Sequence, residues 1–407
     1  MTAPAPREAA IAVARASYGR LIAYLSARSH DIAAAEDALG EAFHAALIAW
    51  PRDGVPLSPE AWLLTAARRR LHDGWRHAQV HEAVVEQWRL LNDGIAPEEA
   101  SAAFPDERLA LMFVCAHPAI DAAARAPLML QTVLGLDAAR MAGAFLVSPA
   151  ALGQRLVRAK AKIRAAGIPF EIPPAERWLE RLGDVLEAIY AAYGTGWDDV
   201  AGTDPKRGDL AVEALTLAAT VVQLLPDEPE PLGLLALLAF CQARAAARRD
   251  EAGEYVPLAQ QDARRWNSEL LATAESALLR AARMQRVGAF QLEAAIQSAH
   301  TQKGLGAPVS PQAIVQLYDA LVALQPTLGA RVSRACALAP AAGVAAALEA
   351  LFAIGEREVA GYQPYWAARA HLLRLAGRED EARQARQRAI GLTADPALRL
   401  FLSRQGS

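Results

Sequence analysis

The chain has 407 residues, a length that suits about two or three domains. Its formal net charge is −3, so no global polyanion-binding surface exists and any nucleic-acid contact must be local. Hydrophobic residues make up 53% and aromatics only 6%, with alanine, leucine, arginine and glutamate dominant and β-branched runs scarce, which sets the fold class as all-α.

Residues 10–50 read as two helices. In "AEDALGEAFHAALIAW", Leu39, Phe43, Ala46, Leu47 and Trp50 share an apolar stripe, and Glu36, Asp37 and Glu41 lie off it. A loop follows, in which Ser58 and Pro59 are suited to the N-cap and first position of the next helix. That helix starts apolar and turns basic, with Arg68, Arg69, Arg70 and Arg76 joined by Trp75, His72 and His77. Trp50 and Trp62 occupy apolar positions and read as core.

Residues 92–107, "NDGIAPEEASAAFPDE", carry five acids and no base, with Gly94, Pro97 and Pro105 breaking helical periodicity; this reads as an acidic linker. Helices resume at 107. In "GLDAARMAGAFLVSPAALGQRLVRAKAKI", Asp137 is suited to cap a short helix through Phe145, Leu146–Ser148 to turn, and Pro149 to open a longer helix capped by Ser148. Short helix, tight turn and long basic helix form the helix-turn-helix pattern.

The long helix concentrates charge. Leu152, Leu156, Ala159 and Ile163 make one apolar stripe, whereas Arg155, Arg158, Lys160, Lys162 and Arg164 stand without an acid among them. Like charges at i, i+3 and i, i+4 cost a helix roughly 0.2–0.5 kcal/mol per pair. Either a negative partner lies outside the helix or the charges simply face water.

"GIPFEIPPAERW" (167–178) reads as a domain boundary. Beyond it, Pro226, Pro326 and Pro396 each separate two apolar helices, at spacings near multiples of a ~34-residue helical repeat. "YWAARAHLLRLAGREDEARQARQRAI" (365–390) is the clearest unit, with Gly377 at its turn, and "GLLALLAFCQA" (233–243) reads as a buried core helix. The domain expectation is 1–91, the linker 92–107, 108–168 and a helical extension 169–407.

The ordered set resembles a bacterial RNA polymerase sigma factor of the extracytoplasmic-function (ECF) class. "DIAAAEDALGEAFHAALIAW" and "PEAWLLTAARRRLHDGWRH" resemble sigma region 2, and "GLDAARMAGAFLVSPAALGQRLVRAKAKIRAAGIPF" resembles sigma region 4. "LLPDEPEPLGLLAL", "QQDARRWN", "FQLEAAIQSAH" and "HLLRLAGREDEARQARQRAI" resemble the tetratricopeptide-like extension of one ECF subgroup.

The resemblance implies core RNA polymerase (β′ clamp helices and β flap) and promoter DNA as partners. Asp31, Glu36, Asp37, Glu41 and Phe43 are the implied polymerase-facing residues. Arg68, Arg69, Arg70, Trp75 and Arg76 are implied at the −10 element, and Gln154, Arg155, Arg158, Lys160 and Lys162 at the −35 element. The chain departs from the family's usual pattern at His77, where a base is usual, at Arg140, where an acid is, and at Ala151, Gly153 and Gln154, which offer little base readout. An unknown ligand or protein on the extension is a further expected partner.

No catalytic motif appears, so an enzyme is not expected. "YGTGW" (193–197) lacks the lysine of a phosphate loop. Cys115, Cys241 and Cys336 are far apart, and the pairs Cys115/His117 and His77/His81 lack further ligands, so neither metal nor cofactor is expected. Without a leader or an apolar span of about 18 residues, a cytoplasmic location and no membrane partner are expected. A DNA-binding regulator or a helical-repeat scaffold with a degenerate sigma module is the alternative reading.

Overall fold

A computed structural model describes residues 6–29, 31–77, 106–165, 172–197, 205–393 and 395–404. The described residues are helical, apart from turns and one isolated bridge between Arg249 and Tyr255. The chain divides into two compact units, Met1–Thr195 and Gly196–Ser407.

The first unit begins with α1 (Pro6–Ser29), α2 (Ile32–Asp53) and α3 (Pro59–His77), which pack on one another. Asp31 starts α2 by accepting from the Ala33 and Ala34 N–H groups at 2.9 and 3.1 Å. Such a cap satisfies orphan donors and stabilises a helix by about 1 kcal/mol. Ile22, Leu25, Leu39, Trp50 and Leu63 fill the core, and Trp62 meets Trp50 edge-on with ring centroids 5.8 Å apart.

The acidic linker expected at 92–107 lies outside the described residues, save its last two. Asp106 then caps α4 (Glu107–Cys115), followed by α5 (Ala122–Leu134), α6 (Ala138–Met141) and α7 (Pro149–Ala165). Helix α6 is shorter than the expected helix through Phe145. Asp137 caps it as expected, but hydrogen bonds from Ala144 to Met141 and from Val147 to Ala142 replace the regular ladder with tight turns. Leu146 takes φ 52°, the left-handed region rarely adopted by a leucine. The Ser148 hydroxyl accepts from the Ala151 N–H at 3.2 Å, so the predicted start of α7 holds.

Helix α7 buries the predicted stripe: Leu152, Leu156, Ala159 and Ile163 are all inside. Each large aliphatic side chain contributes roughly 1.5–3 kcal/mol on full burial. The α1–α3 group and the α4–α7 group touch through α1, which packs on α4 and α5. Gly19 makes that approach possible, because a Cβ there would lie 2.2 Å from the Val133 carbonyl oxygen.

Helix α8 (Trp178–Trp197) belongs largely to the first unit, although the sequence reading assigned it to the extension from 169 onward. Arg181 donates to the Phe113 carbonyl at 2.8 Å, Arg125 pairs with Asp184 at 2.9 Å, and the Trp178 ring lies 6.1 Å from that of Phe113. These long-range contacts, rather than the proline-rich joint before them, decide where the compact unit ends.

The second unit is a run of neighbouring helices: α9 (Pro205–Leu224), α10 (Pro229–Ala243), α11 (Ser268–Arg283), α12 (Ala289–Gly304), α13 (Pro311–Leu324), α14 (Leu328–Ala342), α15 (Val344–Phe352), α16 (Glu356–Val359), α17 (Gln363–Leu375), α18 (Glu379–Leu392) and α19 (Pro396–Arg404). Each of the expected proline turns separates two of them. Helix α10 is buried nearly all round, as its sequence predicts, and Gly233 lets it approach α12 at the Gln291 backbone. Small residues Ala382, Ala385 and Ala389 seat α18, and Gly377 turns at φ 73°. Arg404 pairs with Glu254, and Phe401 meets Tyr255 at 5.2 Å, tying the last helix back to the loop after α10.

Candidate functional site

The polymerase-facing candidates on α2 separate into different environments. Asp31 is engaged in capping. Asp37 and Glu41 are exposed, and Phe43 is half-buried. Glu36 turns inward, with its side chain only 15% exposed.

Leu47, on the apolar stripe of the sequence, departs from its buried neighbours. It is 47% exposed and Ile48 beside it 50%, whereas Leu39, Ala46 and Trp50 are buried. Positions 37, 40, 41, 44, 47 and 48 therefore form one outward face, acidic at one end and apolar at the other. Sequence reasoning missed Leu47 and Ile48 as surface residues. The available signal was their i+3, i+4 and i+7 spacing from the exposed acids and His44.

On α3, Arg68, Arg69 and Arg70 are exposed. Arg70 pairs with Glu41 at 3.0 Å, both side chains 59% exposed, an arrangement worth under about 1 kcal/mol because water screens it. The helix backbone continues to His77, but the side chains of Trp75 and Arg76 lie outside the described residues, as does His81.

On α7 the candidates divide again. Gln154, Arg158 and Lys162 are exposed, with Val157 between them 69% exposed. Arg155 is half-buried and donates to the Ala123 carbonyl at 3.1 Å, closing the start of α5. Lys160 leaves the basic face altogether and pairs with Glu36, its side chain 20% exposed.

Tyr18 and Cys115 lie within reach of the Glu36 charge. Burial, with the Glu36 carboxylate second, raises the Tyr18 phenol well above its usual range and pushes the Cys115 thiol up to about 12. Both stay neutral at physiological pH. Glu36 Oε1 makes no hydrogen bond and is buried, so Lys160 is the charge that balances it.

Among the described residues, no group of three His, Cys, Asp or Glu side chains is placed to hold a metal. No helix among them is long and apolar enough to cross a membrane. "YGTGW" forms the end of α8 and is not a loop.

The arrangement offers one acidic and apolar face on α2 and two exposed basic faces, on α3 and α7. Residues 13–80 match the family described as Sigma-70 region 2, and residues 181–282 match a family of unknown function, DUF6596. A protein of Rhizobium meliloti (strain 1021), named Uncharacterized protein R00370, is 38% identical over 393 residues, covering 95% of this chain and 92% of the relative. No solved structure matches the chain. The chain belongs to the family of that Rhizobium protein and, with a Sigma-70 region 2 at its N-terminal end and a DUF6596 segment after it, is a sigma-70 family factor.

Proposed function

We propose that this protein is an ECF-type sigma factor that joins core RNA polymerase, reads −10 and −35 promoter elements through separate helices and starts transcription under control of its C-terminal helical extension. The observation that carries the reading is the pair of exposed basic faces, Arg68 and Arg69 on α3 and Gln154, Arg158 and Lys162 on α7, on a chain whose first part matches Sigma-70 region 2. The outward face of α2, with Asp37, Glu41, Leu47 and Ile48, supplies the acidic and apolar surface for the polymerase clamp.

Exposed arginines hold the strand at the −10 element, where extracting a base from the stack costs a few kcal/mol. Exposed cations on α7 hold phosphates and set the helix in the major groove. The region 4-like segment carries this second contact, and the TPR-like helices of the second unit form the regulatory part. The Lys160–Glu36 pair ties α2 to α7, so engaging two separated promoter elements requires that pair to part.

Co-purification with core RNA polymerase, followed by run-off transcription from a promoter library, tests the reading. Polymerase capture with promoter-dependent transcripts supports it. Tight, specific promoter binding by the free protein with no polymerase capture would establish a DNA-binding regulator instead.

A further inference from the structure

We propose that the second unit binds a small organic carboxylate in the cavity between α12, α13, α14 and α17, with the carboxylate at Lys303 and His300 and the apolar body against an aliphatic and proline wall. The cavity has a volume of about 390 Å³, within the range of small-molecule sites and suited to a ring or a short acyl chain. Val309, Ile314, Val332 and Pro340 supply the apolar wall. Tyr318 and Ser333 place two hydroxyls beside each other on the same lining.

The charge distribution names the ligand's sign. Lys303 is exposed at the rim, and among the described residues no carboxylate lies within ion-pair distance of it. A second cation, Arg244, acts on the lining residue His300. Arg244 is buried, at 5% exposure, and its guanidinium has neutral partners: Nη2 donates to the Gln297 side-chain oxygen and lies 3.9 Å from Cys241 Sγ. Its Nη1 is buried and makes no hydrogen bond. The Glu293 carboxylate acts on Cys241 and Tyr318, but the charges that act on His300 are Arg244 and Lys303.

Both cations act on His300. Burial, then Arg244, then Lys303 hold its imidazole below the ordinary value, so it is neutral and available as a hydrogen-bond donor. Two cations acting on one neutral donor, in a lining that is otherwise largely apolar, fit a monoanion with an apolar body. A phosphate, with its higher charge and three acceptor oxygens, would leave most of its acceptors facing aliphatic carbon. The inference rests on the second unit and not on the sigma reading, since its test reads binding with no polymerase or promoter present.

The test is isothermal titration of the full chain with sodium benzoate and sodium hexanoate, with benzamide as the neutral counterpart of benzoate. At least one acid is expected to bind saturably at millimolar concentration or below, and benzamide to bind about tenfold more weakly or not at all, the size of one charge-assisted hydrogen bond. Lys303→Gln, on the exposed rim, is expected to weaken the acid by a similar factor without changing the thermal transition. Ala337→Trp, in the cavity wall, is expected to abolish binding. Absence of saturable heat from both acids, equal affinity for benzamide, or full affinity in Lys303→Gln would overturn the proposal.

Discussion

Lys160 of α7 and Glu36 of α2 are ion-paired across 124 residues of sequence, and both side chains are largely withdrawn from water. The sequence reading had assigned one to promoter DNA and the other to polymerase. In the folded first unit they neutralise each other. Removing one partner leaves a buried charge that the neutral Tyr18 and Cys115 cannot balance, at a cost of about 3–5 kcal/mol. Glu36→Gln and Lys160→Met are each expected to lower the urea midpoint of the first unit. The double variant Glu36→Leu/Lys160→Met is expected to recover most of the loss, because replacing both charges by apolar groups removes the desolvation cost. A loss in the double variant equal to the sum of the single losses would show that the pair is not coupled.

Gly19 provides a second handle on the same arrangement. An alanine Cβ there would meet the Val133 carbonyl oxygen at 2.2 Å, which forces α1 away from α5. Overpacking of this kind costs typically about 1–3 kcal/mol. Gly19→Ala is expected to raise hydrogen exchange in α4 and α5 and to enlarge the radius of gyration in X-ray scattering. Unchanged scattering and exchange would place the close approach elsewhere.

Much of the fold was legible because it is written locally. The period of Leu152, Leu156, Ala159 and Ile163 fixes the buried side of α7, and Asp31, Asp106, Asp137 and Ser148 mark helix starts through their own side-chain oxygens. The division of the candidate site was not legible. Lys160, Arg155 and Arg70 look alike as cations in a helix, yet one is buried in a pair, one closes a helix start and one meets an exposed acid. Those differences depend on residues far away in sequence. Phe43 and Leu47, i and i+4, share one apolar stripe in the sequence. Phe43 is half-buried and Leu47 is 47% exposed, so the edge of the buried stripe lies between them, and the period alone does not mark it.

On the proposed promoter contact, the exposed and engaged cations of α7 are expected to behave differently. Arg158→Ala and Lys162→Ala remove exposed charges only. Each is expected to reduce the salt slope of the polymerase–promoter complex by about one, with little change in thermal stability. Arg155→Ala instead removes the donor to the Ala123 carbonyl and is expected to lower stability by about 1 kcal/mol. Filter binding across a salt series and thermal melts distinguish the two groups. Identical behaviour of all three variants would contradict the division.

Stability of the second unit carries a definite pH sign. His300 titrates below its ordinary 6.5 in the folded protein because it is buried and faces Arg244 and Lys303. The unfolded chain therefore takes up the proton first as pH falls, and stability declines as pH drops through 6.5 toward the lower folded value. His371, lowered by burial and Arg374, adds in the same direction. Thermal melts on both sides of 6.5 are expected to show this loss, and His300→Gln to reduce it. A pH dependence identical to the parent protein would exclude His300 as its source.

Where the chain is cut decides what a truncation reports about the extension. Ending at Gly167, where the proline-rich joint begins, deletes α8 and with it the Arg181 bond to Phe113, the Arg125–Asp184 pair and the Trp178 ring against Phe113. It leaves the buried face of α4 open, so lost activity there would report a damaged first unit. Ending at Trp197 keeps all of α8 and removes only helices of the second unit. The 1–167 fragment is expected to unfold at lower urea than the 1–197 fragment, the gap reflecting a lost ion pair, a lost hydrogen bond to a charged group and an exposed apolar face. On the proposed regulatory role, the 1–197 fragment is expected to keep the stability of the first unit yet lose run-off transcription. A folded 1–197 fragment with full transcription and unchanged promoter choice would remove the second unit from the control of initiation.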